Sequence, residues 1–328
     1  MPRSTIVVDI ADALVADLFD PDLRARLDAL GTVVDTGGTA DDARRFSADV
    51  AVTGWGSRAF PGTLPPSARL RFVVHSAGTI RQLVPHSLIA GGLAVSQATA
   101  GMARSVAELA LAFTLALPRD LQRVAAVMRG CHDWHAAQPT ALGRAVCEST
   151  VGVVGASRIG RIYIELVRAL GATVLVYDPY LSDADAAALG ARPSTLEALM
   201  SASDVVALHA PVTAQTRGMI TAALLASMRD GACLVNTARS AIVDMPALER
   251  ELVSGRIRGA LDVFDLEPLP PDYPLFGLPN VILTPHLGAV TTASRRHQGL
   301  IVVEEIERFL AGRPLRHAVT AESYGRLA

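Results

Sequence analysis

Short β-branched runs alternate with helix-length segments along most of this chain. Segments such as Asp12–Leu30, Ile159–Leu170 and Pro246–Ser254 have helix length and lie between the apolar runs. Alternating strands and helices predict parallel sheets covered by helices on both faces, an α/β fold. The runs that we predict to be strands are Ile6–Asp9, Val33–Asp35, Val50–Thr53, Arg71–His75, Leu93–Ser96, Val151–Gly155, Val174–Asp178, Val205–His209, Leu234–Thr237, Gly259–Val263 and Val281–Thr284.

These strands fall into two groups, which predict two domains in the 328-residue chain. Apolar residues spaced at three and four from Val106 to Met128 predict a joining helix that ends or kinks at Pro118. A second amphipathic pattern follows the last strand and predicts a helix that returns to the first domain. We therefore assign residues 1–102 and 287–328 to one domain and residues 103–286 to the other.

Composition narrows the class of protein. The formal net charge is −2 and no basic block occurs, so we expect no binding to nucleic acid or to a membrane surface. The apolar segment Val106–Leu117 is too short to span a bilayer. The three cysteines, Cys131, Cys147 and Cys233, show no metal-ligand spacing, so we expect no metal, free thiols and a cytoplasmic location.

A glycine-rich turn follows the first strand of the second group. Gly155 and Gly160 occupy the first and third positions of a G-x-G-x-x-G pattern, and Ser157 replaces the second glycine. The hydroxyl of Ser157 is able to donate to a phosphate. With Arg158 and Ile159 opening a helix, the turn would place free N–H groups at a pyrophosphate.

An acidic residue ends the next strand, as a dinucleotide site requires. Asp178 stands 18 residues after Gly160. A carboxylate at this place accepts hydrogen bonds from the ribose hydroxyls of NAD and repels the extra phosphate of NADP. The sequence therefore predicts an NAD site that prefers NADH over NADPH.

Three polar segments follow the later strands of the same group. They carry Arg239, Glu267 and His286. Ligands bind at the carboxyl ends of the strands in doubly wound sheets, so these side chains are candidates for one catalytic site.

Together these motifs closely resemble the D-isomer-specific 2-hydroxyacid dehydrogenases. The resemblance runs in family order from about residue 70 to 290 and implies a Rossmann cofactor domain, a flavodoxin-like substrate domain and a cleft between the two. The matching segments are Ser105–Glu108, Gly155–Gly160, Leu208–Thr213 with Thr216, Asn236–Ser240, Leu261–Pro268 and Thr284–Gly288.

The resemblance implies hydride transfer between NAD(H) and a small 2-oxo or 2-hydroxy acid. Arg239 would bind the substrate carboxylate and polarise its carbonyl group. His286 would exchange a proton with the carbonyl oxygen, and Glu267 would pair with it as an acid–base unit. The resemblance also implies cofactor-binding roles for a further set of residues, namely His209, Ala210, Pro211, Thr216, Thr237, Ala238, Asp262 and Gly288. For His209 a structural role is equally well supported.

The substrate loop departs from the family pattern. Ser76, Ala77, Gly78 and Thr79 occupy the place of a glycine-rich loop that presents backbone N–H groups to a carboxylate. Ser76 replaces a glycine, and Ile80 and Arg81 stand where an aspartate is frequent. Arg81 would suit a dicarboxylate or phosphorylated substrate, or is simply solvated.

Two tryptophans have open interpretations. Trp55 follows a strand of the first domain and either lines the substrate pocket or packs in a core. Trp134, flanked by His132 and His135, lies in a segment that helps form a two-fold homodimer in the family.

Two other functions remain open. A non-catalytic NAD-sensing protein, like the corepressor relatives of the family, would use the same motifs. Oxidation of phosphite is compatible with Arg239, Glu267 and His286, whereas formate oxidation is disfavoured because formate enzymes carry glutamine in place of Glu267.

Overall fold

The computed structural model describes residues 3–138 and 142–325 of the chain. Two units emerge, Met1–Ala103 with Ala289–Ala328 (the first unit) and Arg104–Gly288 (the second unit). The sequence analysis drew these boundaries after residues 102 and 286.

Each unit is built on one sheet. In the first unit the strands are β1 (Thr5–Asp9), β2 (Thr32–Asp35), β3 (Val50–Thr53), β4 (Phe72–His75) and β5 (Ala94–Gln97). In the second unit they are β6 (Thr150–Val154), β7 (Thr173–Tyr177), β8 (Arg192–Pro193), β9 (Val205–Leu208), β10 (Cys233–Asn236), β11 (Arg258–Leu261) and β12 (Val281–Leu283).

Helices connect the strands. They are α1 (Asp12–Leu18), α2 (Pro21–Leu30), α3 (Asp42–Ser47), α4 (His86–Ala90), α5 (Ala103–Ala116), α6 (Leu121–Cys131), α7 (Trp134–Ala137), α8 (Arg158–Ala169), α9 (Asp183–Ala188), α10 (Leu196–Ala202), α11 (Ala222–Ser227), α12 (Met245–Val253), α13 (Thr292–Leu310) and α14 (Ala321–Tyr324). Short 3₁₀ turns lie at Thr99–Met102, Leu117–Arg119, Val146–Glu148 and Ser240–Ile242.

Both sheets are parallel, and the α/β prediction is confirmed. The orders are β2-β1-β3-β4-β5 and β12-β11-β10-β9-β6-β7-β8. In each sheet the chain moves first to one side of its starting strand and then to the other. The order therefore reverses between β1 and β3 and between β6 and β9, and ligands bind beside such points in open sheets.

Local capping and proline divide two long helical segments, and the sequence analysis predicted one of these two divisions. The segment Asp12–Leu30 is two helices, because Asp20 accepts a hydrogen bond from the backbone N–H of Leu23 and Pro21 opens a new helix. The joining helix breaks at Pro118, as predicted, into α5 and α6. Strand β8 was missed because its two residues are too few to show an apolar pattern.

Helix α13 belongs to the first unit and packs there through glycine. A Cβ atom on Gly299 would lie 1.8 Å from the carbonyl oxygen of Leu18, and one on Gly101 would lie 2.8 Å from the backbone nitrogen of Gln298. Val302 and Val303, further along the helix, are fully buried. Close backbone approach and apolar burial thus fix α13 against α1 and the turn before α5.

One helical stretch is longer than the sequence analysis expected. Thr99–Arg119 spans 21 residues, and an 18-residue window of it has a mean hydropathy of 1.4, enough by length and composition to cross a membrane. Half of that window is buried inside the protein, as in the core helix of an α/β unit.

Gly299→Ala should destabilise the protein by roughly 1–3 kcal/mol, because the new methyl group meets a backbone oxygen that cannot move alone. Gly130→Ala is the matched control, since this α6 glycine has open space around its Cα. It should instead stabilise by about 0.5–1 kcal/mol. Urea unfolding of both variants measures the difference, and equal effects would contradict the packing of α13.

Candidate active site

The parallel register of the second sheet aligns the segments that follow its strands. Leu208, Asn236 and Leu261 are register partners across β9, β10 and β11. The residues that directly follow these strands, which include His209 and Asp262, therefore lie at one edge of the sheet. This edge carries most of the positions that the sequence analysis assigned to cofactor and catalysis.

The turn after β6 requires glycine at two positions. Gly155 has φ of 96°, and a Cβ on it would lie 2.7 Å from the backbone nitrogen of Ala210. A Cβ on Gly160 would lie 2.0 Å from the carbonyl oxygen of Gly155. Side chains at either place would push the turn away from its neighbours, so the first and third glycines hold the backbone of the turn in place.

Ser157 is the N-cap of α8. Its hydroxyl donates to the carbonyl oxygen of His209 at 2.9 Å and accepts from the backbone N–H of Gly160 at 3.4 Å. The single hydroxyl proton thus ties the turn to the end of β9 and is not directed to a phosphate, the role considered from the sequence. The N–H groups of Arg158 and Ile159 open the helix, where no intrahelical acceptor exists.

Asp178 is tied to the same turn. Its Oδ2 accepts from the N–H of Ala156 at 2.7 Å, and its Oδ1 accepts from the N–H of Tyr180 at 2.9 Å. A groove of about 500 Å³ adjoins Asp178 and is also lined by Asp183 and Glu197. Three carboxyl groups therefore border the space next to the end of β7.

These features fit a dinucleotide. A carboxylate has about four acceptor sites, so Asp178 keeps capacity for ribose hydroxyls after its two backbone bonds. The hydroxyl oxygen of Thr237 is buried without a hydrogen-bond partner among the described residues. An orphaned polar atom in the turn after β10, at the same sheet edge, matches a site built for a polar ligand.

His209 has a packing role. It is buried, its ring lies 4.8 Å from that of Tyr163, and neither ring nitrogen has a partner within the described part of the chain. Burial lowers the pKa of His209 to about 3, so the ring is neutral. Nearby, Ala210 is buried, and Thr216 donates its hydroxyl to the carbonyl oxygen of Pro211 at 2.5 Å.

His286 and Glu267 form a hydrogen-bonded pair. Nδ1 of His286 lies 2.8 Å from Oε2 of Glu267, and Oε1 of Glu267 accepts from the N–H of Phe264 at 3.0 Å. Partial burial opposes ionisation of Glu267, but the hydrogen bonds from His286 and Phe264 outweigh it and lower the pKa of Glu267. The carboxylate therefore holds Nδ1, which leaves Nε2 of His286 to exchange a proton.

Asp262 anchors the segment that carries His286. Its Oδ1 accepts from the hydroxyl of Thr284 and the N–H of Leu287, both at 2.6 Å, and its Oδ2 accepts from the N–H of Gly288 at 2.9 Å. His286 itself has φ of 54°, the left-handed region that non-glycine residues rarely adopt. Asp262, for which the resemblance implies a cofactor-binding role, is thus a positioning residue for His286.

Arg239 is held by the turn after β10. The side-chain amide of Asn236 brackets this turn, because it donates to the carbonyl oxygen of Arg239 at 3.0 Å and accepts from the N–H of Ala238 at 3.0 Å. Desolvation lowers the pKa of Arg239, and the charge of Glu267 opposes that effect. The guanidinium remains cationic beside the His286–Glu267 pair.

The predicted substrate loop lies in the first unit. Ser76 is fully buried, and its hydroxyl donates to the carbonyl oxygen of Thr53 at 2.9 Å. The backbone N–H groups of Ala77, Gly78 and Thr79 have no acceptor among the described residues. Consecutive N–H groups without a protein acceptor are compatible with the anion-binding nest that the sequence analysis predicts for this loop.

Trp55 is 41% exposed, so it does not pack in a core. The guanidinium carbon of Arg295 lies 4.3 Å from the centre of its ring. Gln298, three residues further along α13, donates through Nε2 to the carbonyl oxygen of Ser76. Sequence reasoning missed Arg295 and Gln298, since nothing in the local pattern of α13 connects them to a loop more than 200 residues away.

Comparison with known proteins identifies the family. A model described as "D-isomer specific 2-hydroxyacid dehydrogenase, NAD binding domain" matches residues 111–288. The chain belongs to the D-isomer specific 2-hydroxyacid dehydrogenase family. It is 37% identical over 257 residues to D-3-phosphoglycerate dehydrogenase of Mycobacterium bovis, an alignment that covers 78% of this chain and 48% of that protein.

Two further relatives support this family membership. Hydroxypyruvate reductase of Thermotoga maritima is 36% identical over 219 residues, which cover 66% of this chain and 69% of the reductase. The crystal structure of D-lactate dehydrogenase from Aquifex aeolicus, complexed with NAD and lactic acid, superposes with a TM-score of 0.78 at 25% identity and covers 94% of this chain and 96% of that one. The chain spans about half the length of the phosphoglycerate dehydrogenases it matches.

Asp262→Asn should loosen the segment that carries His286. An amide nitrogen cannot accept the backbone hydrogen bonds that Asp262 receives, and each loss from a buried charged acceptor costs about 1.5–3 kcal/mol. Hydrogen exchange at Leu287 and Gly288 should accelerate by about tenfold to hundredfold. Asp265→Asn, in the same segment but exposed, is the control, and equal exchange in both variants would refute the anchoring role.

Proposed function

We propose that this protein is an NAD-dependent oxidoreductase that interconverts a small 2-oxo acid and the corresponding D-2-hydroxy acid. The observation that carries this proposal is the His286–Glu267 hydrogen bond of 2.8 Å, formed in the same unit as Arg239 and the glycine turn. An acid–base pair, a cation and a dinucleotide fold are the components that carbonyl reduction requires.

The proposed chemistry assigns one task to each residue. NADH, held by the glycine turn and Asp178, would supply a hydride to the carbonyl carbon of the 2-oxo acid. Arg239 binds the carboxylate and polarises the carbonyl group. His286 donates a proton from Nε2 to the carbonyl oxygen, while Glu267 retains its hydrogen bond to Nδ1 and stabilises the charge on the ring. The sum is 2-oxo acid, NADH and one proton giving the 2-hydroxy acid and NAD⁺.

The proposal extends to the substrate loop of the first unit. The nest formed by Ala77, Gly78 and Thr79 would contribute backbone donors to a substrate carboxylate. Ser76, which directly precedes the nest, is held in place by its hydrogen bond to Thr53. Trp55, which stands at the end of β3 and is partly exposed, would line the substrate side.

We also propose that NADH is preferred over NADPH. Asp178, Asp183 and Glu197 line one groove beside the glycine turn, and their charges disfavour a 2′-phosphate. A cytoplasmic location is proposed from the exposed free thiols of Cys131 and Cys147.

A homodimer is proposed as the working assembly. Trp134 is 67% exposed, and Leu121 and Met128 on α6 are exposed as well. Large apolar side chains exposed in one part of the chain are typical of an interface, where an aromatic residue often serves as an anchor.

His286→Ala should lower the turnover of NADH with 2-oxo acids by about 10²- to 10⁴-fold, because the proton donor is lost. Binding of NADH, followed by fluorescence titration, should remain. His297→Ala removes an exposed histidine of α13 and serves as the control. Unchanged turnover in His286→Ala would refute the acid–base role, and NADH binding without any turnover in the wild type would indicate a non-catalytic NAD sensor.

Asp178→Ala should reduce the ratio of kcat/KM for NADH to that for NADPH by about tenfold or more, since a charged hydrogen bond and a repulsive charge are both removed. Asp183→Ala should change the ratio less, because Asp183 lines the groove but makes no hydrogen bond to the glycine turn. A wild-type preference for NADPH would show that the role given to Asp178 is wrong.

A further inference from the structure

Arg295 is held in place on an aromatic face. Its guanidinium carbon lies 4.3 Å from the centre of the Trp55 ring, and its Nη1 donates to Oε1 of Gln298 at 3.3 Å. A guanidinium that stacks on an indole keeps its plane fixed and its outer N–H groups available. The side chain of Arg295 is therefore preorganised to bind an anion.

No anion within the described residues satisfies that cation. No carboxylate oxygen of the described chain lies within 4 Å of Arg295. Partial burial lowers the pKa of Arg295, and the more distant charge of Asp17 offsets this only in part. The adjacent Arg296 differs, because it forms an ion pair with Asp20 at 2.8 Å. Arg295 is the unusual one of these two arginines, because its guanidinium is partly desolvated and has no anionic partner among the described residues.

The same cluster reaches the nest loop. Gln298, which accepts from Arg295, donates through Nε2 to the carbonyl oxygen of Ser76. On the other side, a Cβ on Gly54, next to Trp55, would lie 2.9 Å from the hydroxyl oxygen of Ser76. Trp55, Arg295 and the nest are thus parts of one local network in the first unit.

We propose that the Trp55–Arg295 pair binds a second anionic group on the substrate, a carboxylate or phosphate at the far end of the 2-oxo acid. This inference rests on the proposed function and names the substrate class for that same site. The guanidinium offers paired N–H donors that suit either oxyanion, and the indole face holds their plane. Gln298 fixes the distance between this cation and the nest.

The reacting carboxylate already has donors of its own. Within the first unit, the backbone N–H groups of the nest are assigned to it. A further cation on an aromatic ring is not needed for a monocarboxylate such as pyruvate. An additional positive group therefore indicates an additional negative group.

Arg295→Met tests the proposal, because methionine keeps the apolar stem over Trp55 and removes the charge. The probes are 2-oxoglutarate and 5-methyl-2-oxohexanoate, in which an isopropyl group replaces the distal carboxylate at nearly equal shape. 3-Phosphooxypyruvate forms the phosphate arm. For the favoured dianion, kcat/KM should fall by about tenfold to hundredfold, mainly through KM, and for the uncharged isostere by less than about threefold.

Matched variants separate charge from folding. Arg296→Met removes the neighbouring cation of the same helix and should leave the dianion-to-isostere ratio unchanged. Arg295→Lys should restore part of the preference. Equal losses for dianion and isostere in Arg295→Met, or a wild-type preference for the isostere over both dianions, would overturn the proposal. Preference for 2-oxoglutarate or for 3-phosphooxypyruvate identifies the anion.

A binding readout keeps this test independent of turnover. In a Trp134→Phe background Trp55 is the only tryptophan of the chain, and a dianion docking on Arg295 should change its fluorescence. Titration with 2-oxoglutarate and 3-phosphooxypyruvate should show saturation that Arg295→Met abolishes. Failure of all NADH turnover would refute the proposed function alone, whereas a Trp55 signal that does not depend on Arg295 would refute this inference alone.

Discussion

The parallel register of the seven-stranded sheet is the constraint on which the site of the second unit depends. Hydrogen bonds between β9, β10 and β11 fix Leu208, Asn236 and Leu261 as partners. Since parallel strands end at one edge, the turns that follow them have no freedom to separate. The glycine turn, Arg239 and Asp262 therefore lie along one edge, although about 80 residues or more separate the first of them from the others in sequence.

Buried carboxylates hold the irregular segments that the sheets leave unpaired. Asp262 accepts hydrogen bonds from residues on both sides of His286. In the first unit, Glu305 is fully buried and accepts from the backbone N–H groups of Arg316 and His317. Asp178, which is only partly buried, holds the glycine turn in the same way. The hydrogen bonds that such a carboxylate accepts from backbone N–H groups replace those that water would donate, and this offsets the cost of burying the group.

The regular elements were predictable because their signals are local. Apolar runs gave the strands, and Pro118 marked the break between α5 and α6. The break between α1 and α2 was not predicted, although Asp20 and Pro21 form a local capping signal there. Strand β8 has only two residues and carries no pattern to detect. The functions of side chains such as Ser157 and His209 were harder to assign, since their contacts depend on neighbouring strands.

The sequence by itself determined the fold class, the glycine turn, Asp178 and the order in which Arg239, Glu267 and His286 follow their strands. These features depend on residue type and spacing within one strand–turn unit, which the chain carries locally. The tertiary structure alone decided that Nδ1 of His286 is held by Glu267, that Asp262 anchors the segment around His286, and that Arg295 stacks on Trp55. Arg295 and Trp55 are 240 residues apart, and only the packing of α13 through Gly101 and Gly299 brings them together, because contacts of that range arise from burial of whole elements and leave no local pattern.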